Sequence, residues 1–208
     1  MGGEPASSVR ERLTHAQPQQ RELSITRKKN GGSAGSDWKF MGTVFTHVSS
    51  GNNSLWGVNN AGAIYHRSGI SDATPYGTRW DRVAGSLLQV SVNSVNNEVW
   101  GINANSVVYR RRGITATNHM GTSWQAIDFI EAKWVSVGQA GVWTTSNTNE
   151  VFYRTGTGNG VGGEGIDDTH GNGTEWQRVP GSLTQVSVSS ASNYVWGLNG
   201  QSVYRRMF

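Results

Sequence analysis

The same run of residues is written four times along this chain, each time opened by a tryptophan. After Trp80 comes DRVAGSLLQVSVNSVNNEVWGINANSVVYRRRGI, and after Trp176 comes QRVPGSLTQVSVSSASNYVWGLNGQSVYRR. Looser copies open at Trp38 and Trp124, so the openings stand 42, 44 and 52 residues apart. A period of that size, made of short β-branched runs split by Asn/Ser/Gly turns, describes repeated four-stranded units rather than one mixed core. A unit that cannot bury its own face must stack on its neighbours, and stacking presents one surface several times.

Each unit reads as strand, turn, strand, turn, strand, loop. Val83, Leu87, Gln89, Val90, Ser91 and Val92 predict one alternating strand at the start of the second unit, as do Val179, Leu183, Gln185, Val186, Ser187 and Val188 in the fourth. An Asn/Ser-rich hairpin turn leads to V-W-G-x-N, written Val99-Trp100-Gly101-Ile102-Asn103 and Val195-Trp196-Gly197-Leu198-Asn199, with Leu55-Trp56-Gly57-Val58-Asn59 in the first unit. Glycine after tryptophan implies a close backbone approach or a bulge. The third strand ends in Tyr65-His66-Arg67, Tyr109-Arg110, Tyr153-Arg154 and Tyr204-Arg205, and a G-I…G-T-x-W loop carries the chain onward. The fourth unit stops at Phe208, before its own G-T-x-W, and Gly35-Ser36-Asp37-Trp38 is expected to supply that closing strand. The fold class that follows is all-β, a β-propeller of four-stranded repeats, because radial closure removes exposed sheet edges.

Composition narrows the partners. The 208 residues make one domain's worth of chain, and 28 Gly and 9 Trp against only 15% charged residues fit a loop-rich, aromatic-anchored β protein. The net charge of +4 is scattered rather than gathered on one face, which argues against nucleic acid. No cysteine is present, so disulfides and thiolate metal sites are excluded, and a reducing compartment fits. No apolar run approaches a membrane span, and the first residues lack a signal-peptide core. The expected location is cytoplasmic for the sequence as written, or secreted if residues precede it. Residues 1–37 are polar and end in a Gly/Ser patch, which predicts disorder ahead of a propeller at 38–208. Within them, Ser24-ITRKKN followed by Gly35-SDW distantly echoes the end of a repeat.

Candidate ligand residues are those that recur. A sugar site needs an aromatic face for C–H groups and directional donors and acceptors for hydroxyls. Trp56, Trp100 and Trp196 offer the first; Asn59, Asn103 and Asn199, with Arg67, Arg110, Arg154 and Arg205, offer the second. Structural roles stand beside each: core or blade edge for the tryptophans, turn chemistry for the asparagines, solvated strand ends for the arginines. The strand-opening Trp80, Trp124 and Trp176 read as wedges between blades. Equivalent weak sites on adjacent blades would act as a multivalent array, and arginine pairs bidentately with phosphate. No cofactor, metal or enzyme site is expected. The glycines of Thr155–Glu175 precede no helix, and Glu164, Asp167, Asp168 and His170 lack calcium-loop spacing. Gly31-Gly32-Ser33-Ala34-Gly35 has no strand–helix context for a nucleophile elbow. His15, His47, His66, His119 and His170 show neither metal nor triad spacing. Asn52-Asn53-Ser54 and Asn172-Gly173-Thr174 are glycosylation sequons that matter only on secretion.

From about residue 38 to 208, the register W-x-x-V-x-G-S-L-x-Q-V-S-V, V-W-G-x-N, V-Y-x-R and G-I…G-T-x-W resembles the tectonin repeat family. That family includes fish-egg and horseshoe-crab lectins, fungal tectonins and the propellers of autophagy-linked scaffolds. The resemblance implies a propeller, often six-bladed, that binds glycans or bacterial lipopolysaccharide in innate defence. It equally implies a second possibility, an intracellular scaffold binding a protein partner, with homo-oligomers open to either. Only four units are present here, the third reads Trp143-Thr144-Thr145-Ser146 in place of W-G-x-N, and no disulfide is available.

Overall fold

The computed structural model describes residues 37–127, 130–158 and 171–207. Its first sheet holds β1 (His47–Ser50), β2 (Leu55–Val58), β3 (Ala63–Ser68) and β4 (Arg79–Ser86). The second holds β5 (Gln89–Val92), β6 (Val99–Ile102), β7 (Val108–Arg112) and β8 (Ser123–Ala126). In the third are β9 (Ala132–Gly138), β10 (Gly141–Ser146), β11 (Glu150–Arg154) and β12 (Trp176–Ser182), and in the fourth β13 (Gln185–Val188), β14 (Val195–Asn199) and β15 (Ser202–Arg205). Strands pair antiparallel in chain order within each sheet, and the four sheets form the blades of a β-propeller. All fifteen strands of the described residues lie in the compact unit Val44–Phe208.

Two features of the sequence reading are corrected. The alternating run Val83–Val92 is not one strand: Leu87 N–H donates to Gly62 O of the first sheet at 3.0 Å, whereas Leu88 N–H donates to Ile102 O of the second at 2.7 Å. The chain therefore crosses from the outer edge of one blade to the inner edge of the next between adjacent residues. Gly85, at φ 109°, sits in the β4 bulge just before the crossing. Leu183 and Thr184 repeat the crossing, donating to Asn149 O and Leu198 O. The closing strand also differs. Gly35 and Ser36 lie outside the described residues, Asp37–Phe40 carry no strand, and the fourth sheet has three strands among the described residues.

The core lies between blades rather than within them. Trp56, Val58 and Ile64 on one face of the first blade pack on Val90, Val92 and Val99 of the second. Trp100, Ile102 and Val108 then pack on Val135, Val137 and Val142, and Trp143 and Val151 on Val186, Val188 and Val195. Burying each such side chain is worth roughly 1.5–3 kcal/mol.

A hydrogen-bond ladder runs through the same seams. Val92, Val137 and Val188 each donate an inner-edge N–H to a serine of the preceding blade, Ser49, Ser91 and Ser136, at 3.0, 3.1 and 3.0 Å. The Gln89 amide accepts from Val135 N–H at 3.0 Å and donates to Val135 O at 2.7 Å. Trp134 Nε1 donates to Val186 O at 2.9 Å. Edge groups that no strand pairs are thereby satisfied.

The glycine of V-W-G marks the predicted close approach. A Cβ on Gly57, Gly101 or Gly197 would stand 2.7, 2.5 or 2.3 Å from Phe45, Leu87 or Leu183, the residue two before the inner strand of the same blade. At Gly101 it would also meet Gln89 O at 2.8 Å, backbone that cannot yield cheaply. Gly101→Ala is expected to cost roughly 1–3 kcal/mol, read as a lower urea midpoint with an unchanged m-value.

Candidate functional site

The recurrent asparagines cap turns. Asn59 Oδ1 accepts from Ala61 N–H and Ala63 N–H at 3.1 and 2.9 Å, and Asn103 Oδ1 accepts from Asn105 and Val107 N–H, both at 3.0 Å. In the third blade Ser146 Oγ takes the same place, accepting from Thr148 and Glu150 N–H. Asn199 sits instead at the mouth of a two-residue hairpin, paired with Ser202, and is exposed.

The arginines fall into two registers. Arg67 and Arg154 lie opposite Leu55 and Val142, while Arg110 and Arg205 lie opposite Trp100 and Trp196. In the first register the guanidinium clamps the outer loop. Arg67, Arg111 and Arg154 stack on Trp80, Trp124 and Trp176 at 5.4, 5.1 and 5.3 Å, and donate through Nε to Tyr76, Met120 and Asn172 carbonyls at 2.8, 2.7 and 2.8 Å. Arg111 was missed because alignment on the Tyr-x-Arg letters slips one residue in the third blade. A one-residue slip moves a strand residue to the opposite face; pairing against the V-W-G tryptophan restores the register.

The second register is occupied by His66, Arg110, Tyr153 and Arg205. Arg110 is fully buried; its Nε donates to Glu98 at 3.2 Å and its Nη1 to Asn172 at 3.1 Å, tying the second blade to the third blade's loop. Trp100 Nε1 donates to the same Glu98 oxygen at 2.8 Å. Burial pushes the Glu98 carboxyl up, against the pull of Arg110 and the Trp100 N–H. In the first blade His66, 2% exposed, lies 3.2 Å from Ser54 Oγ and 3.3 Å from Ser68 Oγ, with Ser68 bonded to Asp81. Burial, aided by the charge of His119 and opposed by Asp81, lowers its pKa to about 4.

Of the recurrent tryptophans, Trp56 and Trp100 are wholly buried in the seams, whereas Trp196 is 44% exposed. Two of the three wedge tryptophans pack against the preceding blade as read: Trp124 sits edge-on to Trp56 at 6.0 Å and donates to Ala84 O at 2.9 Å, and Trp176 packs against the core that contains Trp100. Trp80 instead lies edge-on to Phe45 at 4.6 Å. The structure thus gathers three of the ten candidates, Trp196, Asn199 and Arg205, at one place in the fourth blade.

That place is a cavity of about 310 Å³ at the seam of the third and fourth blades. Besides the three candidates, its walls include Trp143, Tyr204 and Arg206. By register it is the space that Trp124 and Trp176 fill in the two earlier seams. Arg206 occupies the position of the clamping Arg67, Arg111 and Arg154, since its N–H donates to Val195 O. Arg205 stacks on Tyr194 at 4.2 Å and on Trp196 at 5.9 Å. The cavity therefore offers aromatic walls, an exposed amide and the guanidinium of Arg206, whereas Arg205 shares the register of Trp196 and so the opposite face. Among the described residues no three His, Asp or Glu side chains gather to hold a metal, and no helix is long and apolar enough to cross a membrane. Glu164, Asp167, Asp168 and His170 lie outside the described residues.

Comparison with known proteins agrees with this architecture. A family model for the tectonin domain matches residues 18–133. The 31 kDa subunit of perivitellin-2 from Pomacea maculata is 36% identical over 72 residues, 35% of this chain and 22% of that protein. The matched stretch thus spans well under a third of that relative's length. Among solved structures, human WBSCR16 superposes with a TM-score of 0.51 at 10% identity, over 90% of this chain and 59% of that one, a likeness of fold alone. YCF48 bound to a D1 peptide gives 0.44 at 17% identity, over 85% and 52%.

The two buried polar groups make separate predictions. Arg110→Ala strands Glu98 in the seam and is expected to cost roughly 3–5 kcal/mol, measured by urea unfolding. For His66 the folded pKa lies below the unfolded value of 6.5. Between the two, the unfolded chain binds the extra proton, so stability is complete above the unfolded value and falls as pH drops towards about 4. Thermal melts across this window should show that loss, and His66→Gln should flatten it.

Proposed function

We propose that this chain, which belongs to the tectonin domain family, is a non-catalytic, lectin-like propeller that binds glycans through the fourth-blade cavity. One observation carries the reading: in a repeat whose other seams are filled by a tryptophan under an arginine, this seam leaves about 310 Å³ beside Tyr204, Asn199 and Arg206. A pyranose ring presents flat C–H faces to an aromatic wall and equatorial hydroxyls to an amide. The Arg206 guanidinium, on the cavity's face, favours a sugar bearing phosphate or carboxylate, such as the phosphorylated core of lipopolysaccharide.

The multivalency expected of repeated sites is not part of this proposal. Asn59 and Asn103 spend their acceptors on turns, and Arg67 and Arg154 spend their guanidinium groups on loops. The proposed site is a single place in the fourth blade, so avidity would come from several chains.

The test is a glycan and lipopolysaccharide array on the folded 208-residue chain, followed by titration with the responding sugar. Saturable binding competed by free sugar is expected. Arg206→Ala and Tyr204→Ala should each weaken it roughly tenfold or more, the scale of one charge-assisted hydrogen bond. Asn103→Ala should leave affinity unchanged. Silence from a folded sample, or binding indifferent to both cavity substitutions, overturns the reading.

A further inference from the structure

Every seam in this propeller joins the trailing face of one blade to the leading face of the next by the same contacts. A tryptophan and two aliphatic residues (in the third blade Val151, with Thr145 in the other place) bury against two valines, and a serine hydroxyl accepts an inner-edge N–H. The fourth blade carries the same trailing set. Trp196, Leu198 and Val203 hold the registers of Trp56, Val58 and Ile64, and Ser187 holds that of Ser49, Ser91 and Ser136. Here, however, Trp196 is 44% and Val203 67% exposed, and the Ser187 hydroxyl accepts no N–H among the described residues.

The first blade carries the matching leading set. Val48 and Ser50 hold the registers of Val90 and Val92, yet Val48 is 55% exposed where Val90 is wholly buried. Two complementary half-seams thus stand at the two ends of the repeat array. Each carries an exposed valine, Ser50 standing where the other leading faces have their second valine, and the edge groups of one are those that the other's side chains can satisfy.

We infer that the chain associates head to tail with a second copy of itself, the trailing face of the fourth blade of one copy seating on the leading face of the first blade of the next. The occupant is specified by the three intact seams. Ser187 Oγ accepts Ser50 N–H of the neighbour as Ser136 accepts from Val188. Gln185 takes the role of Gln89, accepting Val48 N–H and donating to Val48 O. Because the two faces differ, the contact is heterologous: two copies close into a ring if the rotation permits, and longer runs form if it does not. The association does not rest on the glycan reading: Trp196 borders both places, but Val48 and Val203, the two positions that test the association, do not line the cavity.

The experiment is sedimentation velocity on the full chain, alone and as two variants, Val48→Asp and Val203→Asp. Both positions are more than half exposed, so neither change should impair folding, and circular dichroism checks this. Wild type is expected at twice 22.5 kDa or a higher multiple, in a concentration-dependent manner. Either variant alone places a carboxylate in every seam and should raise the dissociation constant roughly 100-fold. An equimolar mixture of the two restores one unmutated seam, between the fourth blade of Val48→Asp and the first blade of Val203→Asp, and should recover a dimer. A wild type that stays at 22.5 kDa overturns the proposal, as do variants that remain associated or a mixture that stays monomeric.

Discussion

The seam between successive blades is the contact on which this structure depends. No sheet here is wide enough to bury its own faces, and the fully buried tryptophans, Trp56 and Trp100, achieve that burial only because a neighbouring blade lies against them. The serine ladder adds direction. A sheet face is apolar and forgiving, whereas the N–H of Val92, Val137 or Val188 fixes the height at which the next blade seats. Hydrophobic area supplies most of the energy and the hydrogen bonds supply the register.

Much of this was legible in the sequence, and the failures have physical causes. The tryptophan period, the V-W-G close approach and the wedge role of Trp124 could be read because each is a local pattern with a local consequence. The blade boundary could not. Val83 and Val90 alternate as one strand, but the break between blades falls at Leu87 and Leu88, both apolar and both suited to a strand. Only the partner of each N–H distinguishes them, and that partner lies in another part of the chain.

The candidate site was legible in kind and not in place. Recurrence identified Asn59, Asn103, Arg67 and Arg154 correctly as residues with a fixed job in each unit, but recurrence in a repeat protein is also the signature of a fold requirement. Each hairpin needs its cap and each outer loop needs its clamp, so the copies are consumed by structure. Arg110 shows the sharper hazard. Adjacent in sequence to the clamping Arg111, it points to the other face, where it meets Glu98 and is wholly buried. Neighbouring letters in a strand have opposite environments, and no composition rule recovers which is which.

It follows that the places where this repeat departs from itself are the informative ones for recognition. A residue that makes the same internal bond in every copy has no bond left to offer a ligand. The third blade replaces glycine with Thr144 and turns its hydroxyl inward to Trp134 O, a departure that the core absorbs. The fourth blade departs outward: its cavity, its exposed Trp196 and its Arg205 stacked between aromatic rings all arise where the seam pattern stops being satisfied. Its two faces ask for different things. The cavity side joins aromatic walls to amide and guanidinium groups, the mixture that a polar ring-shaped ligand requires. The opposite side offers a row of apolar residues flanked by an unused serine, which a small ligand cannot fill but another blade can.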